Sequence, residues 1–395
     1  MKSKLFLVFF FSIGLYAQNL SQILDALQNS KKTLSIKQQT YSNIAQSEQF
    51  ITQDAPELGV NLTQADESTD SGMEYSLGIS QNLSHPFSSL NKEKAVDSYT
   101  KALNQESKHK LHILRLDIAS KYHLACISKE ITQGAELLLK EQNGRFNQLE
   151  SAYNLGEISK KNLLFNKLDL AKLQQTLIYY KRMYLSELSE INELIDNLDV
   201  GELSCNDLVQ ISRDIKLKNI DEHAQIKSIT YKQNSAKSFY DVYNSSLKAL
   251  IYELSYEKEL EATRYSFGIS FPLSFLSSQN QKQKAEFLHK NSALSAQKES
   301  LSSILEKTSN SLKTKVQTFY DEYILLNKEI LPMSLELKNL SKTALYEGEG
   351  SIMEYLDSTR SYTENMLQML QSKKNYYYEL FELYKKADID LGENL

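Results

Sequence analysis

The side chains from which a metal site or a catalytic centre would have to be built are six histidines, two cysteines and the acids. His109 and His112 stand three apart in a Lys-rich stretch, and His85, His123, His223 and His289 are scattered. A metal site needs ligands that converge at a defined geometry, and this spacing supplies no such set. Cys126 and Cys205 form no CxxC and have no partner histidine at metal-like spacing. A disulfide between them is open only outside the cytoplasm, and the sequence alone does not pair them. There is no glycine-rich phosphate loop, GxSxG, HExxH or usable Cys/His pair, so no catalytic, cofactor-binding or metal-ligating residue is expected and the chain does not read as an enzyme. Two acids stand out, Glu354 and Asp357 in "SIMEYLDS", one helical turn apart and so on one helix face. Ser351 and Glu354 also fit the S-x-x-E pattern of a capping box, which gives Glu354 a purely structural reading.

The elements that must position these acids are long. The chain has 395 residues, with only 12 Gly, 4 Pro and no Trp, while Leu, Lys, Glu, Gln, Ser and Ala fill uninterrupted tracts. That is the composition of extended helices. Between Pro272 and Pro332 neither Gly nor Pro occurs, which predicts a helix of about 55 residues, on the order of 80 Å long. Apolar residues there recur three and four apart, as in Val316, Phe319, Tyr320 and Tyr323, the stripe by which helices pack in a coiled-coil-like layer. The net charge of −5 and the absence of a Lys/Arg run leave no footprint for nucleic acid. At the N-terminus, Lys2 and Lys4 precede an apolar run from Leu5 to Tyr16 and then Ala17, the architecture of a secretory signal peptide over 1–17. The run is too short to span a bilayer, and no other apolar stretch reaches the roughly 20 residues required, so any membrane insertion must use strands.

Strand signals come in two pairs. In "YSFGISFPLSF", Tyr265, Phe267, Ile269, Phe271, Leu273 and Phe275 alternate with Ser, Gly and Pro, a period of two. Just before it Leu250, Tyr252, Leu254 and Tyr256 alternate with polar residues, and the turn from Lys258 to Thr263 joins the two runs. The first half offers Leu58, Val60 and Leu62, then Tyr75, Leu77, Ile79 and Leu83, around "QADESTDSG". A soluble hairpin packed on helices accounts for any one strand. Strand length, terminal aromatics, polar turns and export together favour membrane strands. Four strands leave two open edges, which lipid does not tolerate, and closed barrels need about eight, so three chains would supply twelve.

The pairs belong to a duplication. "SAYNLGEISKKNLL" from Ser151 and "TALYEGEGSIMEYL" from Thr343 place Gly156, Glu157 and Ser159 on Gly348, Glu349 and Ser351. With "YSLGIS" and "YSFGIS" at nearly the same offset, this reads as two repeats, 18–200 and 201–395, divided near Gly201.

The duplicated halves, the paired strand segments and the signatures "AYNLGEISKKNLL" and "LYEGEGSIMEYLDS" resemble the TolC-like outer membrane factor family, over nearly the whole mature chain. These are exit ducts of tripartite efflux and type I secretion systems. The resemblance implies a mainly α fold with a β-barrel part, and a homotrimer forming a twelve-stranded barrel in the outer membrane of a Gram-negative bacterium. The barrel would continue into a twelve-helix periplasmic tunnel. It places Tyr75, Leu77, Ile79, Tyr265, Phe267, Ile269, Phe271 and Leu273 against outer membrane lipid. It makes Leu155, Gly156, Glu157 and Ser159, with Gly348, Glu349, Gly350 and Ser351, the tips that meet a periplasmic adaptor, itself coupled to an inner-membrane pump of RND type. It puts Glu354 and Asp357 in an acidic ring at the periplasmic gate, whereas the first half has Asn162 and Phe165 in the corresponding places. No cofactor is implied. The "GISFPLSF" strand looks closest to the cation and heavy-metal efflux branch, with drug efflux or type I protein secretion as alternatives. Outside the family, the rival is an exported coiled-coil adaptor or envelope scaffold. An adaptor, however, would need a Gly-rich β region that this chain lacks.

Overall fold

The computed structural model describes residues 17–66, 71–245, 248–273 and 276–393. Helices α1 (Leu20–Gln28) and α2 (Lys31–Glu48) precede strands β1 (Glu57–Asp66) and β2 (Ser71–Ser84). Then come α3 (Pro86–Asn154) and α4 (Lys160–Leu194), and the order repeats with α5 (Ala224–Asn244), β3 (Ala249–Lys258), β4 (Thr263–Ser270), α6 (Ser278–Leu325), α7 (Leu331–Glu347) and α8 (Ile352–Ala387). Helix α3 opens on Pro86, a position where the missing N–H would have been unpaired in any case.

Two compact units interleave the sequence. One comprises residues 36–110 and 219–306 and contains all four strands. They form one antiparallel sheet in the order β1-β2-β3-β4, so β2 of the first half pairs with β3 of the second. The helical part of this unit closes on Ile229, Ala236 and Leu294, with Phe287 and Leu301 packed against them. Phe287 stacks on Phe239 and Tyr243, with ring centroids 5.2 and 5.5 Å away.

The other unit comprises residues 1–35, 111–218 and 307–395. Its core is a stripe on α8, where Tyr376, Tyr377, Leu380, Phe381, Leu383 and Tyr384 are essentially inaccessible. The segment 195–218, which joins the two sequence halves, has little regular structure, and its backbone groups are taken up by side chains instead. His123 on α3 has its Nδ1 2.7 Å from the Ala119 carbonyl and accepts the Val209 N–H at Nε2 over 2.8 Å. Tyr377 donates to the Val209 carbonyl at 2.7 Å. Tyr376 donates to the Ser212 carbonyl at 2.8 Å and accepts the Ser212 N–H at 2.9 Å. Tyr122 donates to the Ser204 carbonyl, and Cys126 and Cys205 are joined in a disulfide. Burial pushes the Tyr122 and Tyr376 hydroxyls up to about 12, so both remain donors at any physiological pH.

The same unit buries a charge pair. Lys374 on α8 donates to Glu187 of α4 at 3.0 Å and to Ser128 of α3 at 2.7 Å, and Ser128 donates to the other Glu187 oxygen at 3.1 Å. Burial pushes the Glu187 carboxyl up, and Lys374 and Ser128 oppose it.

Two expectations are corrected. The helix expected to stop before Pro332 continues to Glu347, because residues 326–330 widen into a π turn in which Leu331 N–H bonds the Leu326 carbonyl, and the proline ring follows at the start of α7. Phe271 and Leu273 are not on the strand: β4 ends at Ser270, since Pro272 has no N–H to continue the ladder. The pairing of Cys126 with Cys205, which the sequence left open, is made by the fold. The signal peptide expected at 1–17 lies, apart from Ala17, outside the described residues, as do Glu67 to Asp70 of the first turn.

His123 is fully buried and burial lowers its pKa from 6.5 to about 4. The folded form therefore holds a neutral ring while the unfolded chain takes up a proton, so the contribution is intact above pH 6.5 and is lost as pH falls to about 4. Thermal unfolding should reveal about 3 kcal/mol of stability lost across that window. His123→Gln, although less stable at neutral pH, should show a flatter profile there; an unchanged slope would remove His123 as its source.

Candidate functional site

The sheet separates two chemistries. Its register aligns Leu58, Ile79, Leu254 and Phe267 in one row across the four strands and Val60, Leu77, Tyr256 and Tyr265 in the next, with Leu62 opposite Tyr75 and Tyr252 opposite Ile269. Because side chains alternate along a strand, all of these project from one face. That face is uncovered: Tyr265 is 81% and Phe267 64% accessible, and Tyr75, Leu77, Ile79 and Ile269 are exposed with them. The rings of Tyr75, Tyr256 and Tyr265 cluster toward the hairpin turns, at 6.1 and 5.3 Å between neighbours. The opposite face carries Gly59, Gly78, Gly268 and serines together with Glu57, Glu74, Glu253 and Glu257 against Arg264. Strands β1 and β4 each keep one edge without a partner strand among the described residues. Among those residues no helix is long and apolar enough to cross a membrane.

The two tips are built alike. Helix α3 ends at Asn154 and α7 at Glu347, and each is followed by a glycine in the left-handed region, Gly156 at φ 79° and Gly348 at φ 77°. Gly156 N–H bonds the Tyr153 carbonyl and Glu157 N–H the Ala152 carbonyl; Gly348 and Glu349 repeat the pattern on Leu345 and Ala344. Both are Schellman closures. Gly350 adds a further bond to the Ala344 carbonyl at 3.0 Å, and a Cβ there would press on that residue's backbone. Ser159 then caps α4 by accepting from Asn162 N–H, and Ser351 caps α8 by accepting from Glu354 N–H. Leu155 at 75% and Tyr346 at 77% are apolar side chains left in the open at these turns.

The acids divide as their surroundings dictate. Glu354 returns the cap, accepting from Ser351 N–H at 2.9 Å, so the capping box is complete. Asp357 is 63% accessible and lies 3.4 Å from Arg360, whose guanidinium bonds Asp169 of α4 more closely, at 2.6 and 2.8 Å. Arg360 thus ties α8 to α4 and half-compensates Asp357. Behind them Ala135, Leu138 and Leu173 pack with Tyr362, Met366 and Leu367, and Lys338 bonds Glu141 at 2.8 Å. Burial opposes ionisation of Glu141, but Lys338 and Arg145 outweigh it and hold the carboxyl below its usual range. Sequence reasoning missed Arg360 and Asp169, since nothing in their spacing announces a partner on another helix. Among the described residues no three His, Cys, Asp or Glu side chains gather as a metal site.

No protein-family model matches the sequence, and no curated protein matches it either. The fold has clear relatives among solved structures. CusC, described for its transmembrane channel formation, aligns with a TM-score of 0.77 at 13% identity, over 94% of this chain and 92% of its own. The outer membrane protein VceC of Vibrio cholerae aligns at 0.72 and 12%, over 93% and 95%. The open state of the Neisseria gonorrhoeae MtrE outer membrane channel aligns at 0.71 and 14%, over 93% and 88%. The chain therefore has the fold of outer membrane channels, as its duplicated segments suggested.

The conformation of the tips makes a signed prediction. Gly348→Ala and Gly156→Ala should each destabilise by about 1 kcal/mol, because both require positive φ. Gly144→Ala, inside the last third of α3 with open space around it, should stabilise by about 0.5–1 kcal/mol. Unfolding midpoints that move together in all three variants would refute the assignment.

Proposed function

We propose that the chain is the outer membrane exit channel of a tripartite efflux system. The observation that carries this reading is the uncovered apolar face of a four-stranded sheet whose two outer edges lack partners. In lipid every backbone N–H and C=O must be paired within protein, so such a sheet can lie in a membrane only when its edges meet those of other copies. Three copies give twelve strands, with the apolar face outward and the Gly, Ser and Glu face lining the lumen, as in transmembrane barrels. The tyrosine cluster near the turns matches the aromatic girdle at a membrane interface. The disulfide requires an oxidising compartment, which agrees with export to the outer membrane and periplasm.

In this reading the 18–200 and 201–395 repeats each contribute a hairpin of strands and a hairpin of helices. The tips at Leu155 to Ser159 and Gly348 to Ser351 are the surfaces for a periplasmic adaptor, and an RND-type inner-membrane pump supplies the energy. Four glutamates against one arginine on the lumenal face, and Asp357 near the second tip, favour cations as cargo over anions. Heavy-metal cations are the substrate class we infer. Glu354 acts as a helix cap, which leaves Asp357 as the gate acid.

Fractionation tests the reading. The protein should sediment with outer membrane and run unheated as an oligomer that heat converts to monomer; recovery as a soluble monomer would instead support an envelope adaptor or scaffold. In planar bilayers, Asp357→Ala should raise conductance or weaken block by multivalent cations. If neither changes, Asp357 is a surface residue paired with Arg360.

A further inference from the structure

The unit that contains the sheet also holds a cavity of about 340 Å³, lined by residues of that unit alone, among them Ser84, Ser88, Lys92, Tyr243 and Lys248. It lies at the end of the sheet where Ser84 pairs with Ala249, beside the first turn of α3. Ser88 is fully buried there and its hydroxyl has no hydrogen-bond partner. Burying a hydroxyl unpaired costs about 1–3 kcal/mol, so its place on the cavity wall points to a missing acceptor. Asn91, one turn further along the helix, buries its amide nitrogen unpaired as well.

Two amines face the cavity against one carboxylate, so its charge is net positive. Lys92 donates only to the Ser84 hydroxyl, at 3.2 Å. Lys248 donates to the Asn280 amide oxygen and rests 4.4 Å above the Tyr243 ring. Among the described residues no carboxylate pairs with either amine. Asp54 is the one acid on the cavity wall, and its oxygen is engaged by Asn82 at 3.3 Å. Burial, then Lys284, then Lys92 lower the Lys248 pKa, the response of an ammonium crowded by like charge. The first turn of α3 has no acidic side chain, so the positive end of the helix dipole adds to the same field.

We infer that this cavity is a binding site for a phosphate group, held by Lys92 and Lys248 and accepting the Ser88 hydroxyl. The chemistry fits a free phosphate or a phospholipid headgroup. If the channel reading above holds, this end of the sheet emerges at the membrane surface opposite the hairpin turns, and the source is a headgroup of that leaflet; the lipid assignment rests on that reading, whereas the phosphate site does not.

The test uses the full-length protein purified in detergent, titrated with inorganic phosphate, with short-chain phosphatidate and with short-chain phosphatidylcholine, and read by phosphorus NMR. Wild type should bind phosphatidate, with inorganic phosphate competing. Lys92→Gln with Lys248→Gln should weaken binding by roughly tenfold or more, as expected when charge-assisted hydrogen bonds are lost. Ser88→Ala should weaken it several-fold while leaving the unliganded melting temperature unchanged or higher, an outcome a merely structural serine would not give. Binding of inorganic phosphate without phosphatidate would support the site and assign it to free phosphate. Binding of neither, or equal affinity in all variants, would overturn it. Conductance of the same variants in planar bilayers separates the two readings: a protein that conducts but binds no phosphate loses the site alone, and one that binds phosphate but never inserts loses the channel.

Discussion

In the channel proposed above, a sheet lying in lipid has nowhere to leave an unpaired N–H or C=O, and that constraint governs how its strands are arranged. Within the chain, β2 and β3 solve it by pairing strands from the two sequence halves, which places four strands side by side in register. The outer edges of β1 and β4 remain the unsolved part. Large apolar residues fill the two central rows of one face and Gly, Ser and Glu dominate the other, so the two sides of the sheet differ in chemistry.

In the unit rich in buried helix, the problem is the opposite one. The segment 195–218 must cross from one half to the other without regular structure, and three tyrosines, a histidine and a disulfide hold it. These partners come from α3 and α8, helices from different halves. The connector is therefore part of the packing that unites the two sequence halves. The buried Lys374, Glu187 and Ser128 cluster joins α3, α4 and α8 in the same way. A pair this deep owes little net stability to its charges, but removing one member would strand the other.

Periodicity made the elements legible in the sequence. The alternation from Tyr265 and Tyr75 located two strands, and Gly156 and Gly348 located the turns, because each signal is local. Relations between distant segments were not legible. Nothing in the spacing of Cys126 and Cys205, or of Arg360 and Asp169, reveals that they meet. The pairing of β2 with β3 has no sequence mark beyond the shared pattern. Pro332 misled because a π turn can carry a helix past a proline, and Phe271 and Leu273 misled because the alternation outlasts the ladder that Pro272 ends. At the acids, the S-x-x-E spacing correctly exposed Glu354 as a cap, while Arg360, three residues on from Asp357, was overlooked.

The disulfide also bears on the order in which the chain can become a structure. Cys126 and Cys205 are 79 residues apart and both lie ahead of α5, so the loop they close contains the whole α3–α4 hairpin turn and none of α5, β3 or β4. In a chain delivered N-terminus first, the bond can form before the partner strands β3 and β4 arrive. A closed loop of that size removes about 4–5 kcal/mol of unfolded-state entropy in the chain-entropy description. The α3–α4 hairpin would then be closed covalently while α5 to α8 have still to emerge.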